Sequence, residues 1–235
     1  MIHCATSKQD TFTLIPKAMA RVLRLSEEES LRNAIESILE HKEYGKNGKP
    51  KINWNSEDEK QKLLTALVND ARWVNELISQ STVSDELKDA VDLLQLVAEQ
   101  DIEENDDGQI KIRRGVAKDR IIYIKDPEMR HGHKTTSYKT DGYKGHVITG
   151  GKDCELFICT TATPANACNE SALDELEEQR EENLGQYSMD LLADTAYGGA
   201  DIRKNMQEKG INLIAKVPPA SNKKGFFTKK NSISI

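Results

Sequence analysis

Residues Arg120–His146 read RIIYIKDPEMRHGHKTTSYKTDGYKGH. Ile121, Ile122 and Ile124 form a β-branched run that leads into Asp126-Pro127. A polar arm with Arg130, His131, His133, Lys134 and Lys139 follows, and then Asp141-Gly142-Tyr143-Lys144. β-branched runs bounded by turn residues predict two strands flanking a basic loop. Three of the five histidines fall in this stretch, with carboxylates at both ends.

Downstream, strand patterns alternate with helical ones. Tyr143–Thr149 alternates and is rich in β-formers, ELFICTT (155–161) is a buried-strand candidate, and Thr163-Pro164-Ala165-Asn166 turns the chain. Ser171–Glu182 reads as a helix with Leu173 and Leu176 inward. MDLLA (189–193) is a short strand running into Asp194. Ala200–Lys209 is a helix closed by Gly210, and INLIAKV (211–217) is a strand stopped by Pro218-Pro219. The order β-β-α-β-α-β predicts a mixed α/β core with a sheet between helices, over residues 110–220.

Upstream, the grammar is helical. Leu14, Ala18, Val22 and Leu25 predict a helix over Thr11–Leu25, with Pro16 confined to its first turn. Ser26 before three glutamates predicts an N-cap and a helix from Glu27 to Lys42, with Leu31, Ala34, Ile35, Ile38 and Leu39 as its apolar stripe. GKNGKP (45–50) is a connector. Ser56 caps a third helix carrying Leu63, Leu64, Leu67, Val68, Ala71, Val74 and Leu77, and Ser84 caps a fourth with Leu87, Ala90, Val91, Leu94 and Val97. Residues 1–100 thus form a helical block, 101–109 an acidic linker, and 221–235 a polar tail that ends without closing an element. No internal repeat is present.

The 235 residues suffice for one large domain or two small ones. Charged residues reach 31%, hydrophobic ones 37%, and the net charge is −6, so any nucleic-acid binding must come from a local basic patch. Basic residues are concentrated between Ile110 and Gly145. Cys4, Cys154, Cys159 and Cys168 contain no CxxC pair, which fits reduced cytoplasmic usage and not a disulfide or zinc framework. With no leader peptide and no apolar run of membrane-spanning length, the expected location is the cytoplasm, with no membrane partner.

Asp194 follows an apolar strand in LLADTAYGG, and the carboxyl end of an α/β sheet is where ligands gather. A carboxylate there can ligate Mg²⁺, whereas the bland alternative, capping the next turn, leads on local grounds. Asp126 before Pro127 and Asp141 before Gly142 suit turns. His131, His133 and His146 lack the cysteines of a zinc cluster and suit solvent or phosphate contact. Arg130, Lys134, Lys139 and Lys144 suit contacts to DNA phosphates, or else a solvated face. Neither GxGxxG nor Walker patterns occur, and no Ser-His-Asp or Cys-His frame is recognisable.

Several stretches together resemble the DDE transposases of bacterial insertion sequences that carry a helical insertion. They are TSKQDTFTLI (6–15), KINWNSEDEKQKLLTALVNDA (51–71), AKDRIIYIKDPEMRHGHKTTSYKTDGYKGH (117–146), TTATPANACNESALDEL (160–176), LLADTAYGGADIR (191–203) and GINLIAKVPPASNKKGFF (210–227). The most specific are DPEMRHGHK with DGYKGH, and LLADTAYG. The resemblance implies an RNase H-like sheet, with residues 1–100 as the insertion region. It also implies acidic residues that bind two Mg²⁺ ions for DNA strand cleavage and transfer.

Asp194 matches the family's second catalytic aspartate. Asp10 matches a position that is not catalytic. The family's first aspartate precedes the QDT segment and its glutamate follows the lysine- and phenylalanine-rich segment. The resemblance therefore implies a fragment, truncated at both ends and inactive alone, because Mg²⁺ affinity depends on ligand number. Asp126 is a further candidate to share metal with Asp194. A homo-oligomer is a further expected partner, and the competing reading is a non-catalytic DNA-binding or interaction protein.

Overall fold

The computed structural model describes residues 9–46, 49–115, 117, 119–133, 138–185 and 190–217. The chain is mixed helix and strand and divides into two compact units. One comprises Met1–Tyr143 with Pro164–Asn166, the other Lys144–Thr163 with Ala167–Ile235.

In the first unit, α1 (Thr11–Leu25), α2 (Glu29–Ile38), α3 (Glu57–Ser79) and α4 (Asp85–Glu99) follow the apolar spacing. Leu14, Ile15, Ala18, Met19 and Val22 of α1 pack into one core with Leu67, Val74, Leu94 and Val97 of α3 and α4. Ser56 Oγ accepts from Glu59 N and Ser84 Oγ from Leu87 N, each at 3.3 Å, satisfying first-turn donors as expected. Pro16 lies in the second turn of α1 without ending it.

Two helix boundaries depart from expectation. Ser26 closes α1, its hydroxyl donating to the Val22 carbonyl at 2.9 Å, and does not open α2. α2 stops at Ile38, short of Lys42, because the amides of Glu40 and His41 donate to the carboxylate of Asp70 on α3.

The expected acidic linker, residues 101–109, is instead structured. β1 (Ile102–Glu104) and β2 (Ile110–Ile112) form an antiparallel hairpin, with Glu103 opposite Lys111. Ile102 and Ile110 are buried in the helical core while Glu103, Glu104, Asp106 and Asp107 are exposed, and Gly108 takes the left-handed conformation of the turn (φ +74°). Arg72 of α3 bridges Glu99 and Glu104 at 2.8 and 3.0 Å.

Ile121–Lys125 is not a strand. Ile121, Ile122 and Ile124 are buried as expected, but Ile121 and Ile124 pack against the helical core. The side-chain amide of Gln100 accepts from Ile121 N at 2.8 Å and donates to Ile121 O at 3.1 Å, and Gln9 N donates to Ile122 O. One amide thus satisfies the main-chain groups a neighbouring strand would otherwise take.

β3 (Arg130–His133) pairs antiparallel with the start of β4 (Lys139–Gly150). Gly132 is required there, since a Cβ would stand 2.1 Å from the Ala165 carbonyl oxygen.

In the second unit β4 is hydrogen-bonded to β5 (Leu156–Pro164), whose Cys159 and Thr163, an even number of residues apart, are buried on one face. The expectation that 155–161 is buried fails at its start, where Leu156 and Phe157 are 60% and 78% exposed. α5 (Leu173–Leu184) turns Leu173 and Leu176 inward.

β6 (Asp190–Leu192) pairs in parallel with β7 (Asn212–Ile214), joined through α6 (Ala200–Glu208). α6 ends as its glycine predicts. Gly210 is left-handed (φ +73°), its N–H donates to Gln207 O, and Ile211 N donates to Met206 O at 2.8 Å. Leu191, Leu213, Ile202, Met206 and Ile211 share a core with Ile148, Leu173 and Leu176. Among the described residues the strands form three small sheets, and the single sheet expected between helices is not observed.

Candidate functional site

Asp194 lies two residues beyond the carboxyl end of β6, where Ala193 N still donates to Ile214 O of β7. Its side chain is exposed. Oδ1 accepts from Ala196 N at 2.8 Å and caps a 3-10 turn over Thr195–Tyr197. The local capping role is therefore realised, on a carboxylate that also faces solvent.

The turn delivers Tyr197 to a buried polar chain that the sequence did not reveal. The Tyr197 hydroxyl is 2.7 Å from Nδ1 of His146 on β4, and Nε2 of His146 is 2.9 Å from the Thr163 hydroxyl on β5. Neutral imidazole has one donor and one acceptor nitrogen, and two hydroxyls can meet both. Burial, and secondarily Lys144, holds His146 below the usual histidine range, while burial, and secondarily Asp194, raises Tyr197. The one signal for this chain was the inward phase of His146 and Ile148 in β4.

His146 makes the second unit acid-sensitive. Its folded pKa lies below the unfolded one, so its contribution is complete above about pH 6.5 and is lost as pH falls through the folded value. Thermal melts between pH 7.5 and 5.5 should show a declining midpoint in the wild type and a flatter profile in His146→Gln. Parallel profiles would remove His146 as the cause.

In the first unit, Asp126 follows the 121–125 segment in a turn. Its main-chain oxygen accepts from Met129 N, and its carboxylate accepts from the Tyr143 hydroxyl at 2.7 Å. Burial and this bond push the Tyr143 phenol up to about 12. His131 and Asp141 are directly opposed across β3 and β4 and join through Nδ1. Arg130 donates to the carbonyls of Pro127 and Met129. His133 and Lys139 are exposed. In the second unit, Lys144 donates to Ala167 O at 2.6 Å and to Asn169 Oδ1 at 3.3 Å. Lys134 and Cys4 lie outside the described residues.

Arg130, His131 and Lys144 thus hold their own loops, and Lys139 is the described basic residue of the hairpin that faces solvent. Among the described residues no three His, Cys, Asp or Glu side chains converge as a metal site. Asp194, with one oxygen accepting a main-chain N–H, does not by itself fit Mg²⁺, which takes several oxygen ligands in near-octahedral geometry. Asp126 and Asp194 belong to different units. Cys159 is buried and donates to Leu176 O, whereas Cys154 and Cys168 are exposed and free.

No helix of the described residues is long and apolar enough to cross a membrane. Comparison with protein-family models, curated proteins and solved structures finds no match to this chain.

Proposed function

We propose that the chain serves DNA transposition as part of a DDE-type transposase, with Asp194 as one acidic ligand of an RNase H-like catalytic centre. The observation that carries this reading is the exposed carboxylate of Asp194 at the carboxyl end of the parallel β6–β7 pair, in the stretch LLADTAYG. Mg²⁺ is the metal this chemistry uses, and other carboxylates must complete its site. DNA is the partner, self-association on DNA belongs to the same reading, and the cytoplasm is its place.

A second reading is a non-catalytic DNA-binding protein of the same ancestry. It is favoured by the capping bond of Asp194 and by the lack of a converging acidic cluster among the described residues.

Duplex binding and nicking of a supercoiled plasmid test both. Binding through about four phosphates should weaken roughly a hundredfold between 50 and 200 mM salt. The chain alone is expected not to nick. Nicking that requires Mg²⁺ and disappears in Asp194→Asn would establish catalysis, whereas nicking that survives this substitution would remove Asp194 from the mechanism. Binding of neither duplex nor single-stranded DNA at 50 mM salt would sink both readings.

A further inference from the structure

From a basic groove in the first unit, we infer that the helical block binds a single strand of nucleic acid. The groove encloses about 680 Å³ and is walled by Lys17, Arg21 and Arg24 of α1 and by Lys125, with Tyr123 and Gln9 also lining it. Lys17, Arg21 and Arg24 are spaced four and three apart and so share one face of α1. The buried stripe of Leu14, Ile15, Ala18 and Val22 serves the core.

None of these four cations has a carboxylate within ion-pair distance among the described residues. Lys46, which also lines the groove, is paired with Glu43, and Glu86 is the one acidic lining residue. In a chain of net charge −6, four unpaired cations around one concavity form a local attractor for anions.

Shape and chemistry favour a strand over a duplex. A cavity of this volume takes a guest the size of a small molecule, which a few nucleotides match and a double helix does not. The rise from Lys17 to Arg24 is roughly 10 Å, about three phosphates at ~3.4 Å per nucleotide. Tyr123 offers an aromatic face for base stacking beside the cations, the combination by which sequence-tolerant grooves hold single strands.

Gln9 supplies the second observation. Its residue is 8% exposed, and its side-chain Oε1 is buried with no hydrogen-bond partner among the described residues. Its main chain is fixed, N–H to Ile122 O and C=O from Arg120 Nη1. An N–H on a base at the floor of the groove would satisfy this acceptor.

This inference deepens the DNA-binding part of the proposal above and assigns it to residues other than the 130–144 hairpin. Fluorescence anisotropy with the full chain tests it, using one labelled 12-nucleotide strand alone and as a duplex. Four contacts predict a loss of single-strand affinity of roughly fifty-fold from 50 to 200 mM salt, falling to about sevenfold in Arg21→Gln with Arg24→Gln. Lys17→Gln with Lys125→Gln alters only exposed positions and should do the same, which separates binding from folding.

Single-strand affinity and salt slope unchanged in both double variants would overturn the groove, as would inorganic tripolyphosphate competing as well as the strand. Duplex binding without single-strand binding would overturn the groove alone. Binding of neither form would overturn the groove and the DNA reading together.

Discussion

Replacing Asp101 with alanine is expected to destabilise the first unit by about 3–5 kcal/mol, the range for breaking one side of a buried ion pair. Asp101 and Arg120 are 8% and 6% exposed. Arg120 Nε lies 2.7 and 2.8 Å from the two carboxylate oxygens, and Nη2 lies 2.7 Å from Oδ2. The Thr11 hydroxyl donates to the same carboxylate at 2.8 Å, and Arg120 Nη1 reaches Gln9 O at 3.2 Å.

One pair thereby ties the start of α1, the chain leaving α4 and the entry to the 121–125 segment. Removing the carboxylate leaves a guanidinium in the core that can neither lose its charge nor reach water. Urea unfolding should show the loss. Asp101→Leu with Arg120→Met should be less damaging than Asp101→Ala, because no charge remains buried. A loss under about 1 kcal/mol for the single alanine would show the pair to be open to solvent.

The second large effect is at Asp70, which is fully buried on α3. Its carboxylate accepts from Glu40 N at 2.6 Å, from His41 N at 3.0 Å and from the Tyr44 hydroxyl at 2.6 Å. Three donors of the segment after α2 thus converge on one side chain. Burial and this bond raise the Tyr44 phenol far above its ordinary value, so it stays a donor throughout the accessible pH range.

Asp70→Ala strands all three donors and is expected to cost about 3 kcal/mol or more, at 1–3 kcal/mol for each unsatisfied group and with incomplete additivity. Tyr44→Phe removes one partner and should cost about 1 kcal/mol. Amide exchange at Glu40 and His41 should accelerate sharply in Asp70→Ala and little in Tyr44→Phe. Unchanged exchange in the first variant would mean that the segment is held by packing alone.

Neither group was visible as structural in the sequence. Asp70 sits in a helix whose apolar positions predicted its inward face, but a carboxylate on that face has no local explanation. Its partners are 26 to 30 residues away. Asp101 reads with its acidic neighbours as linker, because composition does not distinguish one buried acid from several solvated ones. The candidate site divides the same way. The position of Asp194 after a short apolar strand is legible, whereas the Tyr197–His146–Thr163 chain joins residues 51 and 17 apart.

Features that depend on near neighbours are legible in the residue pattern. The four long apolar-periodic helices, the caps at Ser56 and Ser84, the glycine stop at Gly210 and the strand leading to Asp194 all rest on bonds spanning a few residues. Folding settles where Ile121–Lys125 goes, because its apolar side chains suit a strand and a helical core equally well. The amide of Gln100, 21 residues away, substitutes for the missing strand neighbour. Folding also decides which cations are engaged: Arg130 and Lys144 donate to carbonyls, while Lys17, Arg21, Arg24 and Lys125 line a groove without a carboxylate partner among the described residues. Charge is written in the sequence, but whether a charge has a partner depends on what folding brings beside it.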